Sequence, residues 1–246
     1  MSGRPGPLRL ADLSSPEVGR LAGRGAVLAV PLGSTEQHGA HLPVSTDTTI
    51  AVALCELLAQ ARDDVLVAPA VPYGSSGEHA GFAGTISIGL AALELLVVEL
   101  CRSITDTFSR VVLVSAHGGN AEAVIRAVSL LRSESREVLL FMPRWKGEPH
   151  AGHPETSMLL ALSPELVRMD LAVAGDLRPL AETLPLLRAG GVRAVSENGV
   201  LGDPRSATAA AGRELLEALS AQLIAEVDSW LGRPVSVPAA APVAGS

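Results

Sequence analysis

Apolar runs alternate with amphipathic runs along most of the chain, and the two kinds of run predict strands and helices in turn. Short runs rich in Val, Leu and Ala predict buried strands over residues 26–32, 65–71, 111–116 and 138–142. Runs with apolar residues every third or fourth position predict helices over residues 46–60, 90–105, 120–133, 155–161 and 207–231. This order predicts an α/β fold: a three-layer sandwich with a mainly parallel central sheet and helices on both faces.

Two parts of the chain lack this periodicity. Residues 179–204 contain four glycines that favour turns and a hairpin: Gly190, Gly191, Gly199 and Gly202. Residues 234–246 are rich in Pro and Ala, which predicts a disordered tail. We therefore expect an N-terminal segment over residues 1–24, one domain over residues 25–233 and a tail over residues 234–246.

Composition narrows the class of protein. A chain of 246 residues with 48% hydrophobic residues can bury a core covered on both faces of a sheet. A net charge of -7 and only 2% aromatic residues argue against a nucleic-acid partner, because such proteins use basic surfaces and stacking side chains. No apolar run has the length of a membrane span or a signal peptide, so we expect a cytoplasmic protein without membrane partners.

Histidines and acidic residues follow the first predicted strand, in the segment GSTEQHGAHLPVSTD. In an open α/β sheet, ligands bind at the carboxyl ends of the strands. Glu36 and His38 lie on one side of an extended segment, because side chains there repeat every second residue. Asp47 begins the next helix, where its two oxygens can bridge two cations. Taken alone, Asp47 is better explained as a helix cap, but the three residues together favour a metal site.

Two further segments offer donors of the same kind. His117 directly follows the third strand in HGGN, where a phosphate cradle or a core histidine is the alternative interpretation. In PHAGHPETS, Glu155 lies in the first turn of a helix and is a candidate ligand. His150 and His153 are candidates for proton transfer, although a solvated helix entrance is the better interpretation of His153.

A glycine-rich loop follows the second strand and has the length of a functional loop. It contains Tyr73, Glu78 and His79, which we predict to contact a substrate. Gly118 is predicted to contact the substrate as well, because a glycine allows close approach of the backbone. An ordinary surface loop is the alternative for residues 73–88.

The predicted metal ligands are five residues: Glu36, His38, Asp47, His117 and Glu155. Five donors with a bridging aspartate suit two ions about 3.5 Å apart, which lower the pKa of a bound water toward ~7. The resulting hydroxide would attack an amide carbonyl, with His150 and Glu155 as the catalytic side chains. No G-x-S-x-G motif is present to favour a serine hydrolase.

The segments GSTEQHGAHLPVSTD, HGGN and HAGHPETS resemble the creatininase family of binuclear metal amidohydrolases, roughly from Gly25 to Leu231. The resemblance implies two divalent ions, Fe2+ or Zn2+ with Mn2+ as another choice, and a homo-oligomer, with a hexamer favoured. It places Glu36 on one ion, His38 on the other and Asp47 between them. Creatininase has an acidic ligand two residues after the HGGN-type histidine, where this chain has Gly119, and Glu155 is the implied replacement.

Within the family, PYGSSGEHAGFAGTISIG and LGDP-x-x-AT resemble the mycofactocin-system branch. This resemblance implies a peptidase that cuts a modified precursor peptide near its C-terminus and releases a fragment built from Val-Tyr. A small cyclic or formylated amide, such as creatinine or a pterin or flavin precursor, is the alternative substrate. A non-catalytic metal-binding scaffold subunit is the alternative from a different class, which stoichiometric metal analysis would help to distinguish.

Overall fold

The computed structural model describes residues 6–233, and the predicted tail at residues 234–246 lies outside the described residues. The strands in that range are β1 Val27–Leu32, β2 Val65–Val67, β3 Arg110–Ser115 and β4 Glu137–Phe141. The α-helices are α1 Ser15–Ala22, α2 Thr46–Ala61, α3 Gly89–Ile104, α4 Ala121–Ser133, α5 His153–Leu162, α6 Leu180–Gly190 and α7 Ala209–Trp230. In this part of the chain no helix is both long and apolar enough to cross a bilayer.

The four strands form one sheet in the order β2-β1-β3-β4, and every neighbouring pair is parallel. Leu28 of β1 pairs with Leu66 on one side and with Val111 on the other. Parallel strands that are covered on both faces consist of continuous apolar runs, and this pattern allowed these strands to be predicted from the sequence. Their carboxyl ends lie at one edge of the sheet, where the candidate chemistry was predicted.

Helices cover both faces, so the predicted three-layer sandwich is confirmed. Val27 and Ala29 face a core formed with α2, α5 and α7. Leu28 and Val30 face a second core formed with α3 and α4. The alternation follows from strand geometry, because successive side chains point to opposite faces.

The predicted turns and hairpin between residues 179 and 204 are wrong in their first half, where the chain forms α6. Leu180, Leu184 and Leu187 recur at helical spacing, and this periodicity was the available signal. Pro185 inside the helix concealed it, because proline usually interrupts helices. Gly191 follows the helix with a φ of 70°, so this glycine ends a helix rather than forming a hairpin turn.

Two further elements differ from the sequence-based prediction. Strand β2 spans three residues rather than residues 65–71, and Val71 rejoins the sheet through an isolated bridge to Leu32. Helix α1 was not predicted, since two turns are too short for a clear period. It begins with a capping box formed by Ser14 and Glu17, and its apolar side packs onto the second core.

We expect Leu54→Ala to lower the free energy of unfolding by about 2–5 kcal/mol, because it removes buried methyl groups and leaves a cavity. Leu54 is 0% exposed in the core beneath α2. Leu95→Ala is the matched control: Leu95 is 62% exposed, and its change should stay within about 0.5 kcal/mol. Denaturant unfolding measures both values, and equal effects would contradict the assigned core.

Candidate metal centre

The five predicted donors converge at the carboxyl edge of the sheet. Glu36 and His38 follow β1, Asp47 lies in the first turn of α2, His117 follows β3, and Glu155 lies in the first turn of α5. All five are almost fully buried, with exposures of 1% for Glu36, 0% for His38, 2% for Asp47, 4% for His117 and 4% for Glu155. Side chains from four separate segments therefore share one buried space.

Asp47 reaches the centre because α2 begins very close to the end of β1. A Cβ atom placed on Gly33 would lie 2.4 Å from the Cα atom of Thr48, so only glycine permits this approach. The hydroxyl of Ser34 donates a hydrogen bond of 2.6 Å to Oδ2 of Asp47. Sequence alone could not place Asp47 so precisely, since the contact depends on how α2 packs on β1.

The carboxylate of Asp47 lies between two histidines. Its Oδ1 is 3.3 Å from Nε2 of His38, and its Oδ2 is 3.2 Å from Nδ1 of His117. One oxygen faces each imidazole, so the carboxylate links the two histidines.

Among the described residues, three groups of side chains have ligand atoms that lie within 4.8 Å of one another. Two of them share no residue: His38, Asp47 and Glu155 form one, and Glu36, Glu78 and His117 form the other, with Oε2 of Glu36 3.2 Å from Nε2 of His117. The third, Glu36, His38 and His150, takes one residue from each of these and adds His150. Because one cation with an open position needs three protein ligands, each group has the size of one metal site.

Three buried atoms in this centre have no hydrogen-bond partner among the described residues: Oε1 and Oε2 of Glu36 and Nε2 of His38. A buried polar atom without a partner costs about 1–3 kcal/mol, and more when the group is charged. One cation in each group would give these atoms partners. Imidazole and carboxylate ligands also match the preferences of divalent transition metals, so the residues fit such ions.

Burial and neighbouring charges shift the titration of the donors. Burial and the charge of Asp47 raise the pKa of Glu36 to about 8, and burial raises the pKa of Glu155 to about 7. Burial opposes protonation of His38, but the surrounding carboxylates, with Asp47 first, raise its pKa to about 10. His117 behaves in the same way, and Glu36 and Asp47 raise its pKa to about 10. Without a cation, the centre therefore retains protons at neutral pH.

We expect metal binding at pH 7 to release protons, because the ion must displace them from Glu36, His38 and His117. Because the pKa values of these three groups are raised, protons compete with the metal more strongly as the pH falls below those values, and the metal affinity weakens. Isothermal titration calorimetry in two buffers of different ionisation enthalpy measures the release. Identical binding heats in both buffers would contradict this assignment of protonation states.

His150 and His79 border the same centre from the side of Glu36. Nδ1 of His150 is 3.7 Å from Oε1 of Glu36, and Nε2 of His79 is 3.4 Å from the same oxygen. Burial and the charge of His38 lower the pKa of both imidazoles, that of His79 to about 3, so both are neutral at pH 7. Nε2 of His150 donates to the carbonyl of Gln37 at 2.9 Å, which leaves its Nδ1 free to accept a proton.

A cavity of about 780 Å³ opens onto the donors. Its apolar wall includes Met142, Trp145 and three leucines of α6: Leu180, Leu184 and Leu187. The predicted contacts Glu78, His79 and Gly118 line this cavity, as do His150 and Glu155. Tyr73 does not line it, and its side chain is 45% exposed to solvent. His153 begins α5 outside the lining, in agreement with its interpretation as a helix entrance.

Two positioning residues were missed by the sequence-based analysis. The amide of Gln37 donates to Nδ1 of His79 at 2.8 Å and to the carbonyl of Gly199 at 3.0 Å. Asn120 accepts from the backbone N–H of Ser75 and donates to the carbonyl of Gly33. Gln37 lies between two predicted ligands, and Asn120 lies within HGGN. Their positions inside these motifs were the sequence signal that could have identified them.

The profile of the creatininase family, described as creatinine amidohydrolase, matches residues 11–227. The chain belongs to the creatininase family. The resemblance inferred from the sequence motifs is therefore confirmed, and so is the expected fold.

Relatives of the chain include hydrolases named for different substrates. The chain is 47% identical over 240 residues to the mycofactocin precursor peptide peptidase of Mycobacterium tuberculosis, covering 92% of this chain and 94% of the relative. It is 53% identical over 197 residues to that of Mycolicibacterium smegmatis, covering 77% and 79%. It is 29% identical over 185 residues to the creatinine amidohydrolase of Pseudomonas putida, covering 63% and 71%.

Solved structures of creatininase share the fold. A crystal structure of creatinine amidohydrolase superimposes with a TM-score of 0.77 at 25% identity, covering 93% of this chain and 99% of that chain. A structure described as Creatininase Mn gives a TM-score of 0.78 at 26% identity, covering 93% and 100%. A creatininase variant of Zn-Zn type gives a TM-score of 0.77, covering 92% and 98%.

Proposed function

We propose that the chain is a metal-dependent peptidase that hydrolyses the modified mycofactocin precursor peptide near its C-terminus and releases the Val-Tyr-derived fragment. The observation that carries the proposal is the set of buried donors with unpartnered atoms, Glu36 and His38 among them, facing one cavity. The identities of 47% and 53% to peptidases of that name support the choice of substrate.

Two divalent ions are the proposed cofactors, with Fe2+ or Zn2+ favoured and Mn2+ as another choice. Glu36 and His117 would hold one ion, His38 and Glu155 the other, and Asp47 would bridge. Such ions supply Lewis acidity toward an amide carbonyl and lower the pKa of water. Relatives described as Mn and Zn-Zn forms of creatininase support this range of metals.

The protein's own residues carry the proton transfer. His150 is neutral at pH 7, and its free Nδ1 faces the donor cluster, so it accepts the proton of the attacking water. The same Nδ1 then delivers that proton to the nitrogen of the leaving amine as the C–N bond breaks. Glu155 accepts a hydrogen bond of 2.6 Å from the backbone of Ala151, which fixes one carboxylate oxygen.

The shape of the cavity favours a peptide over a small polar amide. A volume of about 780 Å³ exceeds the need of a single small ring. Leu180, Leu184 and Leu187 of α6, together with Trp145, offer apolar contacts to a fragment built from valine and tyrosine. A creatinine-like substrate is less supported, since the relative with that activity is only 29% identical. A non-catalytic scaffold is also less supported, because buried carboxylates are costly without a cation.

Mass spectrometry of the protein incubated with the processed precursor peptide tests this function. The metal-loaded enzyme is expected to shorten the maturase-modified peptide and to release its C-terminal fragment. The unmodified peptide and creatinine are the matched control substrates. Turnover of creatinine with the modified peptide left intact would overturn the proposed substrate while preserving the chemistry.

The proposed assembly is a homo-oligomer, with a hexamer favoured by the family resemblance. Sedimentation equilibrium of the full chain tests it, and a monomer at micromolar concentration would contradict it. The proposed location is the cytoplasm.

A further inference from the structure

Position 119 has no side chain, and the space beside it is already occupied. A Cβ atom placed on Gly119 would lie 2.2 Å from Oε1 of Glu78 and 2.5 Å from Nε2 of His117. It would also lie 2.4 Å from the backbone oxygen of Ser75. The carboxylate of Glu78 therefore fills the volume that any residue other than glycine would need, directly beside an imidazole of the metal centre.

Glu78 reaches this position from the loop between β2 and α3. It lies in a short 3₁₀ turn over Gly77–His79 that begins after Ser76. The backbone N–H of Ser76 donates to the hydroxyl of Ser87 at 2.9 Å, which ties the turn to the end of the loop. Oε1 of Glu78 is 3.6 Å from Nε2 of His117, and its side chain is 34% exposed along the cavity.

A second observation points to a ligand at the same place. Oε2 of Glu36 lies 3.2 Å from the same nitrogen of His117, and both carboxylate oxygens of Glu36 lack a hydrogen-bond partner among the described residues. Glu36 is 1% exposed. Buried polar atoms are normally paired, so the two unpartnered oxygens of Glu36, beside an imidazole and a second carboxylate, are placed to bind a cation.

We propose that Glu78 is a metal ligand, completing with Glu36 and His117 the protein donors of one ion. The inference rests on the proposed two-ion site and changes the role of Glu78 from the predicted substrate contact. Glu155 does not serve this ion, because its Oε2 lies 3.8 Å from Nε2 of His38, in the other group. In this chain an acid from the loop after β2 thus occupies the space beside Gly119.

Glu78 adds a donor to the site beside His117. Without it, each ion would receive one imidazole, from His117 or His38, one carboxylate of its own, from Glu36 or Glu155, and a share of Asp47. With it, the ion beside His117 gains a second carboxylate of its own, from the group whose ligand atoms lie within 4.8 Å of one another. Glu36, Glu78 and His117 come from the segments after β1, β2 and β3. Binding of the ion therefore ties the loop after β2 to the sheet.

The test measures metal binding in the absence of substrate. Glu78→Gln and Glu78→Ala are compared with the wild-type full chain, using zinc with a competing chelator and cobalt(II) absorption spectra. We expect both variants to bind one ion with wild-type affinity and the other at least about 100-fold more weakly. Glu137→Gln, an exposed glutamate at the start of β4, is the control and should retain both affinities.

The outcomes separate a ligand from a substrate contact. A substrate contact would raise KM and leave both zinc affinities and the cobalt spectrum unchanged, and that result would overturn the proposal. Glu78→Gln preserves the shape of the side chain. If its circular dichroism spectrum matches that of the wild-type protein, the loss of an ion in this variant does not come from misfolding, even if Glu78→Ala fails to fold. The wild-type protein could bind two ions, and the Glu78 variants only one, while the wild-type protein leaves the peptide uncut. In that case the proposed function fails and the ligand assignment stands.

Discussion

Replacing Asp47 with alanine is expected to remove both metal ions and, with them, amide hydrolysis. Asp47 is the one donor whose two oxygens face different imidazoles, at 3.3 Å from His38 and 3.2 Å from His117. Metal ions contribute several kcal/mol of transition-state stabilisation, and about 1.4 kcal/mol corresponds to tenfold in rate. We therefore expect kcat/KM to fall by about three orders of magnitude or more.

Elemental analysis of the purified variant and steady-state kinetics with the modified peptide measure the two effects. Asp106→Ala is the matched control, because Asp106 is exposed in the turn between α3 and β3, at the edge of the sheet opposite the metal centre. Retention of two stoichiometric ions by the Asp47 variant would contradict the bridging assignment. Loss of activity with both ions retained would assign Asp47 another role.

Removing the metal ions from the wild-type protein is expected to abolish hydrolysis and to destabilise the fold. A ligand that binds only the native state stabilises it by about 4 kcal/mol when its concentration is 1,000 times its dissociation constant. The loss is expected because the metal-free centre keeps Glu36, Asp47 and Glu155 buried and must hold protons on Glu36, His38 and His117 in place of the ions. The free energy of unfolding measured with and without chelator gives the size of the loss.

Adding metal back separates the chemistry from simple unfolding. Zinc or iron should restore peptide cleavage, whereas magnesium should not, because magnesium prefers oxygen ligands and gains little from His38 and His117. Full activity in metal-free protein would rule out metal-assisted hydrolysis. Recovery of folding without recovery of activity would place the catalytic residues elsewhere.

Much of this centre could be predicted from sequence because its donors lie next to regular elements. His117 directly follows β3, and Asp47 lies in the first turn of α2, so the order of strands and helices already put them at one edge. The spacing of Glu36 and His38 placed both on one side of an extended segment, and the structure groups their ligand atoms. Local periodicity and the topology of parallel sheets were sufficient for these positions.

Other parts of the site depend on contacts that sequence patterns do not encode. The carboxylate of Glu78 meets His117 across 39 positions of chain, and only the empty side of Gly119 makes room for it. Tyr73 was chosen by residue type, yet the loop turns it toward solvent. Helix α6 supplies the apolar wall, but Pro185 and the following glycines resembled a loop.

The structure also explains why the buried histidines remain in place. Gln37 connects His79 with the backbone of Gly199, and the carbonyl of Gln37 holds His150 in the orientation that leaves Nδ1 free. These hydrogen bonds fix the ring orientations around the donors, as hydrogen-bonded neighbours of metal ligands generally do. The segment that carries two ligands thus also orients two further imidazoles.

Anomalous X-ray scattering from crystals grown with zinc tests whether the buried donors hold two ions. Data collected on both sides of the zinc absorption edge are expected to reveal two ions. One should lie among Glu36, Glu78 and His117, the other between His38 and Glu155, with Asp47 contacting both. Anomalous peaks confined to the protein surface, or no anomalous peak among these donors in crystals grown with excess zinc, would contradict the two-ion assignment.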